Sequence, residues 1–307
     1  MILVTGGTGL VGSHLLFQLT LENENIKAIY RTEKSLEGVK KIFSYYTNDV
    51  EKLFSKINWV PADITEVPSL AKAFKDVTIV YHAAALVSFD GKDYRKMRQI
   101  NIDGTANVVN QCINNSVKKL CYVSSIAAIG DAIEDQKVTE ENEWSIHASN
   151  NGYAITKYGA EMEVWRGSQE GIDVVVVNPG VILGAGFWEI NTGQLFSKIA
   201  KGFSFYSEGV TGFVGVKDVV KAMVQLTKSS IKNEKFILVS ENKSFQDIFT
   251  LIANEFGKKP PSIKISSTAT KILRRIDAVV SFITRKKRLI TKESVKSLHG
   301  KTMYSSE

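Results

Sequence analysis

Tyr153 and Lys157 stand four residues apart near the middle of the chain. On a helix this spacing places both side chains on one face, so an ammonium can lie beside a phenol. A neighbouring positive charge favours the phenolate and lowers the pKa of the phenol from its ordinary value of ~10. The pair therefore predicts a site that exchanges a proton near neutral pH.

A glycine-rich turn lies near the start of the chain. Gly7, Gly9 and Gly12 follow the apolar run Ile2–Val4 and open a helical pattern that begins at Leu10. Such glycines let the backbone approach a pyrophosphate, which then faces the positive end of the helix. A turn without a ligand is the alternative, but its place after the first strand favours a dinucleotide site. Gly12 is expected to allow close helix packing more than ligand contact.

Strand-length apolar runs alternate with amphipathic stretches of helix length up to residue 180. The run 173–177 is β-branched almost throughout, as is typical of a strand buried on both faces. We therefore predict an α/β fold with a doubly wound parallel sheet (a Rossmann fold) and a smaller, mainly helical C-terminal substrate subdomain. Residues 1–180 are expected to form the dinucleotide-binding domain, with 211–240 returning to it. Residues 181–210 and 241–307 are expected to form the substrate subdomain.

The composition is that of an ordinary globular protein, with 307 residues, 44% hydrophobic and 23% charged. These values argue against disordered and fibrous classes. Cys112 and Cys121 lack metal-ligand spacing, so we interpret both as core residues in a reducing compartment and expect no metal site. No leader pattern and no run of ~18 apolar residues is present, which predicts a cytoplasmic protein.

The net charge of +7 is concentrated near the C-terminus. Residues 271–301 hold ten Lys or Arg against two acidic residues, whereas residues 1–270 sum to zero. A local basic segment is not a basic DNA-binding face, so we predict no nucleic-acid partner. Apolar residues at helical spacing predict a helix over 268–283 that packs on the body of the protein, with basic residues such as Arg285–Arg288 left in solvent. Weak contact with an anionic membrane surface is the alternative.

No acidic residue stands at the tip of the second predicted strand, where one would hold the 2′-hydroxyl of NAD. Arg31 and Lys34 stand there instead, and a guanidinium forks onto phosphate oxygens. We therefore predict NADP and leave NAD open, since Arg31 could equally be a surface charge or stack on adenine. Asp63, after the third strand, could accept a hydrogen bond from the adenine amino group or cap a turn.

These motifs resemble the extended short-chain dehydrogenase/reductase family, in its epimerase/dehydratase and dihydroflavonol-reductase-like branch. The resemblance spans nearly the whole chain. It rests, in the order of the family, on Thr5–Gly12, Asp63–Thr65, His82–Ala85, Asn101–Thr105, Ser124–Ser125, Tyr153–Lys157, Asn178–Gly180 and Phe213–Val219. Besides Arg31 and Lys34, it implies cofactor contacts from Gly6, Thr8, Gly9, Leu10, Val11, Gly12, Asp63, Ile64, Ala83, Ala84, Ala85, Lys157, Pro179, Gly180 and Val181.

The resemblance also implies catalytic roles. Ser125 would hydrogen-bond the substrate oxygen, with Ser124 as the nearby alternative. Tyr153 would transfer the proton, while Lys157 would lower its pKa and bind the nicotinamide ribose. Asn101 would steady the active-site helix and its water, although the residues alone predict a helix cap. These roles predict hydride transfer between nicotinamide and a carbonyl or alcohol.

His82 could suggest a catalytic histidine. Its place at a strand end predicts a structural or cofactor-packing role instead.

The substrate region is aromatic and carries few cations. Residues 181–215 contain only Lys198 and Lys201 as basic residues, whereas a diphosphate needs forked cations. We therefore predict a largely apolar carbonyl or alcohol substrate in contact with Ser125, Phe89 and Phe187. About half of the aromatic rings in this region could simply be core.

The sequence leaves two other functions open. One is a nucleotide-diphosphate-sugar epimerase or dehydratase, and the other is a catalytically silent NADP-sensing protein. The resemblance further implies a homodimer that pairs through the helices predicted at 92–115 and 152–170.

Overall fold

A computed structural model describes residues 1–132, 136–146, 148, 150–266, 268, 270 and 298–305. The basic stretch 271–297 lies outside these residues, and so does most of the helix predicted over 268–283. The membrane contact of this segment stays a prediction, as does the pairing of two copies. None of the described helices is long and apolar enough to cross a lipid bilayer. Within the same residues, no group of His, Cys, Asp and Glu is arranged to hold a metal ion.

Strands and helices alternate through most of the described chain. The strands are β1 (Ile2–Thr5), β2 (Ile26–Tyr30), β3 (Ile57–Pro61), β4 (Ile79–His82), β5 (Lys119–Val123), β6 (Asp173–Pro179), β7 (Val181–Leu183), β8 (Phe205–Tyr206), β9 (Val210–Gly215), β10 (Glu234–Leu238), β11 (Glu241–Ser244) and β12 (Ile263–Lys264). The α-helices are α1 (Leu10–Leu21), α2 (Lys34–Ser44), α3 (Val50–Phe54), α4 (Val67–Ala73), α5 (Tyr94–Met97), α6 (Gly104–Asn114), α7 (Gly152–Gln169), α8 (Gly193–Ala200), α9 (Val216–Lys228) and α10 (Phe245–Glu255). Gly91–Asp93 and Ile126–Ala128 form 3₁₀ turns, and Arg98–Asp103 forms a π-helical segment between α5 and α6.

The main sheet confirms the predicted fold class. In the described part of the chain it has seven strands in the order β10-β6-β5-β4-β1-β2-β3, and all neighbouring pairs are parallel. Ile2 of β1 pairs with Ile26 of β2 on one side and with Ile79 of β4 on the other. The strand order reverses at this point, so a crevice opens beyond the carboxyl ends of β1 and β4. In such sheets ligands bind at this crevice.

Two apolar layers cover the two faces of the sheet. In β6, Val175 and Val177 pack in the layer that contains α1 and α9. Val174 and Val176 pack in the opposite layer, with α6 and α7. Because successive strand residues point to opposite faces, an unbroken run of valines is buried on both sides. Cys112 and Cys121 are free thiols buried in these layers, as predicted.

The C-terminal part contains more strand than predicted. A second sheet has the order β11-β9-β7, while β10 joins the main sheet. The pattern of residues 213–227 in the sequence predicts one helix that begins at Phe213, but in the structure α9 begins only at Val216. Phe213 lies in β9, where it pairs with Val181 and Glu241. Pairing with two strands distant in sequence overrides the local helical pattern there.

Candidate active site

The glycine turn after β1 folds tightly against the end of β4. Gly6 has a φ of 70°, and a Cβ on it would lie 2.5 Å from the backbone nitrogen of Ala84. Only glycine allows both this conformation and this approach. The turn therefore places two groups of predicted cofactor residues side by side, those of residues 6–12 and those of 83–85.

The same turn packs against the first turn of α1. A Cβ on Gly12 would lie 2.1 Å from the carbonyl oxygen of Gly6, so Gly12 serves helix packing. The Gly9 amide donates to that same oxygen at 3.0 Å, and Ser13 Oγ donates to the Gly7 carbonyl at 3.0 Å.

The N-terminus of α1 is open at this turn. No side chain caps the helix at Gly9, and Gly9 itself is exposed. The amides at the start of α1 thus remain available to an anion. The residues present fit the pyrophosphate of a dinucleotide.

The residues predicted to contact the adenosine part of the coenzyme follow β2 and β3. Arg31 and Lys34 are exposed at the end of β2, where the sequence placed them. Asp63 Oδ1 accepts hydrogen bonds from the Thr65 amide at 2.9 Å and from its hydroxyl at 2.8 Å. Asp63 therefore makes the turn cap that was the alternative to adenine binding. Ile64 is buried, and a Cβ on Gly104 of α6 would lie 2.7 Å from Ile64 Cδ1.

Lys157 is buried on α7 and faces the end of β5. Its ammonium donates to the hydroxyl of Tyr122 at 2.7 Å and to the carbonyl of Val123 at 2.8 Å. Burial lowers the pKa of Lys157 to about 7, while the charge of Glu161 acts in the opposite direction. Sequence reasoning missed Tyr122, because a tyrosine inside an apolar strand gives no signal of its own.

Tyr153 lies beside Ser125, as the resemblance implied. Ser125 lies close enough to Tyr153 to lower the pKa of the phenol by hydrogen bonding, and its Oγ also accepts from the Ala127 amide at 3.1 Å. Burial raises the pKa of Tyr153 above its ordinary value, and the bond to Ser125 offsets part of this. The lowering of this pKa that was expected from Lys157 is not found in this structure, because both hydrogen bonds of the ammonium go elsewhere. Phe89 is also close, with its ring centroid 5.9 Å from that of Tyr153.

Ser124 points away from the crevice. Its hydroxyl donates to Glu161 Oε2 at 2.5 Å, and the residue is buried. Because successive strand residues face opposite sides, Ser125 then faces Tyr153. The structure therefore distinguishes two serines that the sequence left as alternatives.

Asn101 connects the helical segment 98–103 to α7. Its side-chain nitrogen donates to Thr156 Oγ1 at 3.0 Å and to the Leu86 carbonyl at 3.0 Å, and its oxygen accepts from the Leu86 amide at 2.7 Å. The prediction of a helix cap was wrong, since Asn101 lies inside a π-helical segment. Such segments often occur at functional sites because they re-aim one side chain.

His82 is enclosed at the end of β4. Its ring bonds to Thr5 Oγ1 at 2.6 Å and to Thr105 Oγ1 at 2.8 Å, and the residue is fully buried. Burial, with a smaller effect of Lys157, lowers the pKa of His82 to about 3. The imidazole is therefore neutral and joins β1, β4 and α6.

The segment after β6 passes beside the crevice. Pro179 is buried, and a Cβ on Gly180 would lie 2.4 Å from the carbonyl oxygen of Gly212 in β9. Val181 begins β7. The ring of Phe187 lies 3.1 Å from the position of a Cβ on Gly38, so it packs against α2, the helix after β2. Its contact with the substrate stays a prediction.

A comparison with protein families identifies the family of this chain. A NAD-binding family model described as Male sterility protein matches residues 4–205, well over half of the chain. The chain belongs to this family of extended short-chain dehydrogenase/reductases. The protein is therefore an enzyme that uses a nicotinamide cofactor.

Known relatives of this dehydrogenase/reductase include both reductases and epimerases. The chain is 28% identical over 280 residues to tetraketide alpha-pyrone reductase 2 of Arabidopsis thaliana, and the alignment covers 86% of this chain and 85% of the relative. It is 26% identical over 251 residues to UDP-glucose 4-epimerase of Vibrio cholerae, and this alignment covers 78% of this chain and 70% of the relative. The crystal structure of gox2253 superposes with a TM-score of 0.80 at 25% identity, covering 100% of this chain and 90% of that one. The dehydrogenase/reductase is therefore an NAD(P)-dependent oxidoreductase by family.

Proposed function

We propose that the protein is an NADP-dependent reductase or hydroxyl dehydrogenase that acts on a largely apolar carbonyl or alcohol. The observation that carries this proposal is that Ser125 lies beside Tyr153, one helical turn from the buried Lys157, whose ammonium bonds the Val123 carbonyl at the end of β5. All three residues lie near the carboxyl end of β5, at the same edge of the sheet as the glycine turn.

In the reaction, bound nicotinamide supplies or accepts a hydride, and the chain handles the proton and the substrate oxygen. A carbonyl oxygen that binds beside Ser125 and Tyr153 can accept hydrogen bonds from both hydroxyls. The phenol of Tyr153 gives its proton to that oxygen as negative charge develops on it. The positive charge of Lys157, one helical turn from Tyr153, favours the phenolate that remains, although its hydrogen bonds go to Tyr122 and Val123 before the reaction. Asn101 holds α7 in place through Thr156. These four residues are the proposed catalytic machinery.

The surroundings of Tyr153 support an apolar substrate. Phe89 packs edge-on against the Tyr153 ring and is 42% exposed, so it offers an apolar surface at the reacting hydroxyls. The tetraketide alpha-pyrone reductase among the relatives supports a reductase, and the UDP-glucose 4-epimerase supports the second candidate, a nucleotide-sugar epimerase. A diphosphate needs forked cations, and the region 181–215 contains no arginine.

The test is a search for net turnover. Loss of NADPH absorbance would be followed with a panel of aromatic and aliphatic aldehydes and ketones, and thermal stability with uridine and thymidine diphosphate sugars. We expect net NADPH oxidation with apolar carbonyls. Stabilisation by diphosphate sugars without net oxidation would establish the epimerase instead. Coenzyme binding with neither result would indicate the silent NADP-sensing protein.

Replacing Arg31 with alanine is expected to weaken NADPH binding and to leave NADH binding nearly unchanged. A guanidinium that bonds a 2′-phosphate contributes ~1.5–3 kcal/mol, which corresponds to a ~10–150-fold rise in the Kd for NADPH. Fluorescence titration with each coenzyme measures this change.

Lys41→Ala serves as the control for Arg31→Ala. Lys41 is an exposed cation in the last turn of α2, the helix that follows Arg31, so this variant removes one positive charge away from the end of β2 and should bind both coenzymes like the native protein. An Arg31→Ala protein with an unchanged ratio of NADPH to NADH affinity would refute the NADP assignment.

A further inference from the structure

Glu161 is a buried carboxyl on the catalytic helix that the proposed mechanism does not use. It lies one helical turn beyond Lys157 and is only 2% exposed. A buried carboxylate is costly unless hydrogen bonds and an opposite charge compensate it. The groups that hydrogen-bond Glu161 therefore indicate the role of its carboxylate.

Three donors surround this carboxyl. Oε2 accepts from Ser124 Oγ at 2.5 Å and from Asn178 Nδ2 at 3.0 Å, and Oε1 accepts from Trp165 Nε1 at 3.3 Å. An acceptor surrounded by donors is the pattern that an ionised carboxylate satisfies. Asn178 also donates to the backbone carbonyl of Ser125 at 3.0 Å. Glu161 therefore connects α7 to the ends of β5 and β6, next to the serine that lies beside Tyr153.

The charge of Glu161 also acts on Lys157. The titratable groups around the ammonium are Tyr122 on β5, His82 on β4 and Glu161 on α7, and Tyr153 lies one turn earlier on the same helix. His82 is neutral because burial lowers its pKa, and burial raises the pKa values of both tyrosines. Glu161 is thus the anion that opposes the loss of a proton from Lys157.

We propose that Glu161 is a positioning residue, which holds Ser125 in register with Tyr153 through Ser124 and Asn178 and places a carboxylate one helical turn from the Lys157 ammonium. This inference rests on the proposed function of Ser125, Tyr153 and Lys157. Without the carboxylate, desolvation would act on Lys157 unopposed, and Ser124 and Asn178 would lose their common acceptor.

The test is the titration of Lys157 in the native protein and in Glu161→Gln. In protein made with isotope-labelled lysine, NMR follows the side-chain signal of Lys157, which is assigned by its absence from Lys157→Met. A group stays charged up to its pKa, so removal of the anion should move the midpoint to lower pH, by ~1 pH unit or more. For the same reason, the alkaline limb of the kcat–pH profile should move to lower pH.

Two further variants separate charge from structure. Glu163→Gln makes the same chemical change two residues along α7, where Glu163 pairs with Arg166 at 2.9 Å, and should leave the midpoint of Lys157 unchanged. Trp165→Phe removes one hydrogen bond to Glu161 without removing its charge, and should also leave the midpoint unchanged.

A Lys157 midpoint in Glu161→Gln equal to that of the native protein would overturn the inference, and so would an equal shift in Trp165→Phe. The NMR titration needs no substrate. If no carbonyl is reduced, the proposed function fails, while the titration still decides whether Glu161 acts on Lys157.

Discussion

Tyr153→Phe is expected to lower kcat by ~10²–10⁴-fold, the range that a positioned proton donor contributes. The substitution removes the hydroxyl that lies beside Ser125 and keeps the ring that packs against Phe89. Folding and coenzyme affinity should therefore be retained. Steady-state NADPH oxidation, together with the Kd for NADPH, separates loss of chemistry from loss of binding.

Tyr158→Phe is the matched control for Tyr153→Phe. Tyr158 lies on the same helix and stacks on Trp144, with ring centroids 4.5 Å apart and ring planes 7° apart. Loss of its hydroxyl should leave kcat near the native value. Full turnover in Tyr153→Phe would refute the assignment of the proton donor.

Gly12→Ala is expected to abolish measurable coenzyme binding. The new Cβ would lie 2.1 Å from the Gly6 carbonyl oxygen and 2.8 Å from Gly7 Cα. Because these are backbone atoms, α1 must move away from the turn that receives the pyrophosphate. Overpacking of this kind costs ~1–3 kcal/mol of stability. Thermal unfolding and NADPH titration measure the two effects.

Gly9→Ala distinguishes a damaged fold from a blocked site. A Cβ on Gly9 would meet only the Gly6 carbonyl oxygen, at 3.4 Å, and its φ of −96° suits alanine. This variant should keep its melting temperature and still bind NADPH at least ~10-fold more weakly, because a methyl group occupies the approach to the pyrophosphate.

Gly91→Ala is the control for both glycine variants, since a Cβ on Gly91 would meet no atom within 4 Å. It should match the native protein in stability and NADPH affinity. Native NADPH affinity in both Gly9→Ala and Gly12→Ala would place the coenzyme elsewhere.

Much of the fold could be predicted because its signals are local. The valine run of β6 requires apolar layers on both faces, and the described structure supplies them. The prediction was wrong at Phe213, where β9 replaces the start of a helix. That strand forms because it hydrogen-bonds with β7 and β11. Both strands are distant in sequence, so the residues of β9 show no alternating pattern that would predict a strand.

The candidate site also has features that local sequence predicts and features that depend on contacts distant in sequence. Helix geometry alone places Tyr153 and Lys157 on one face, and the order of strand, glycine turn and helix indicates the coenzyme cradle. Sequence could not identify which groups the Lys157 ammonium would meet, or that Phe187 would pack on α2. Glu161 had a weak signal, since it repeats the four-residue spacing beyond Lys157, but a glutamate at that position is equally typical of an exposed helix face.

The sequence by itself determined the sheet class, the glycine turn and the spacing of the reacting pair, because each depends on neighbours along the chain. Only the tertiary structure decided that Ser125 rather than Ser124 faces Tyr153, that Tyr122 receives the Lys157 ammonium and that Glu161 is buried beneath them. These contacts join β5 and β6 to α7. The interaction energies of these side chains depend on how deeply they are buried and on the distances between them. Burial and distance are set only when the strands and the helix pack together.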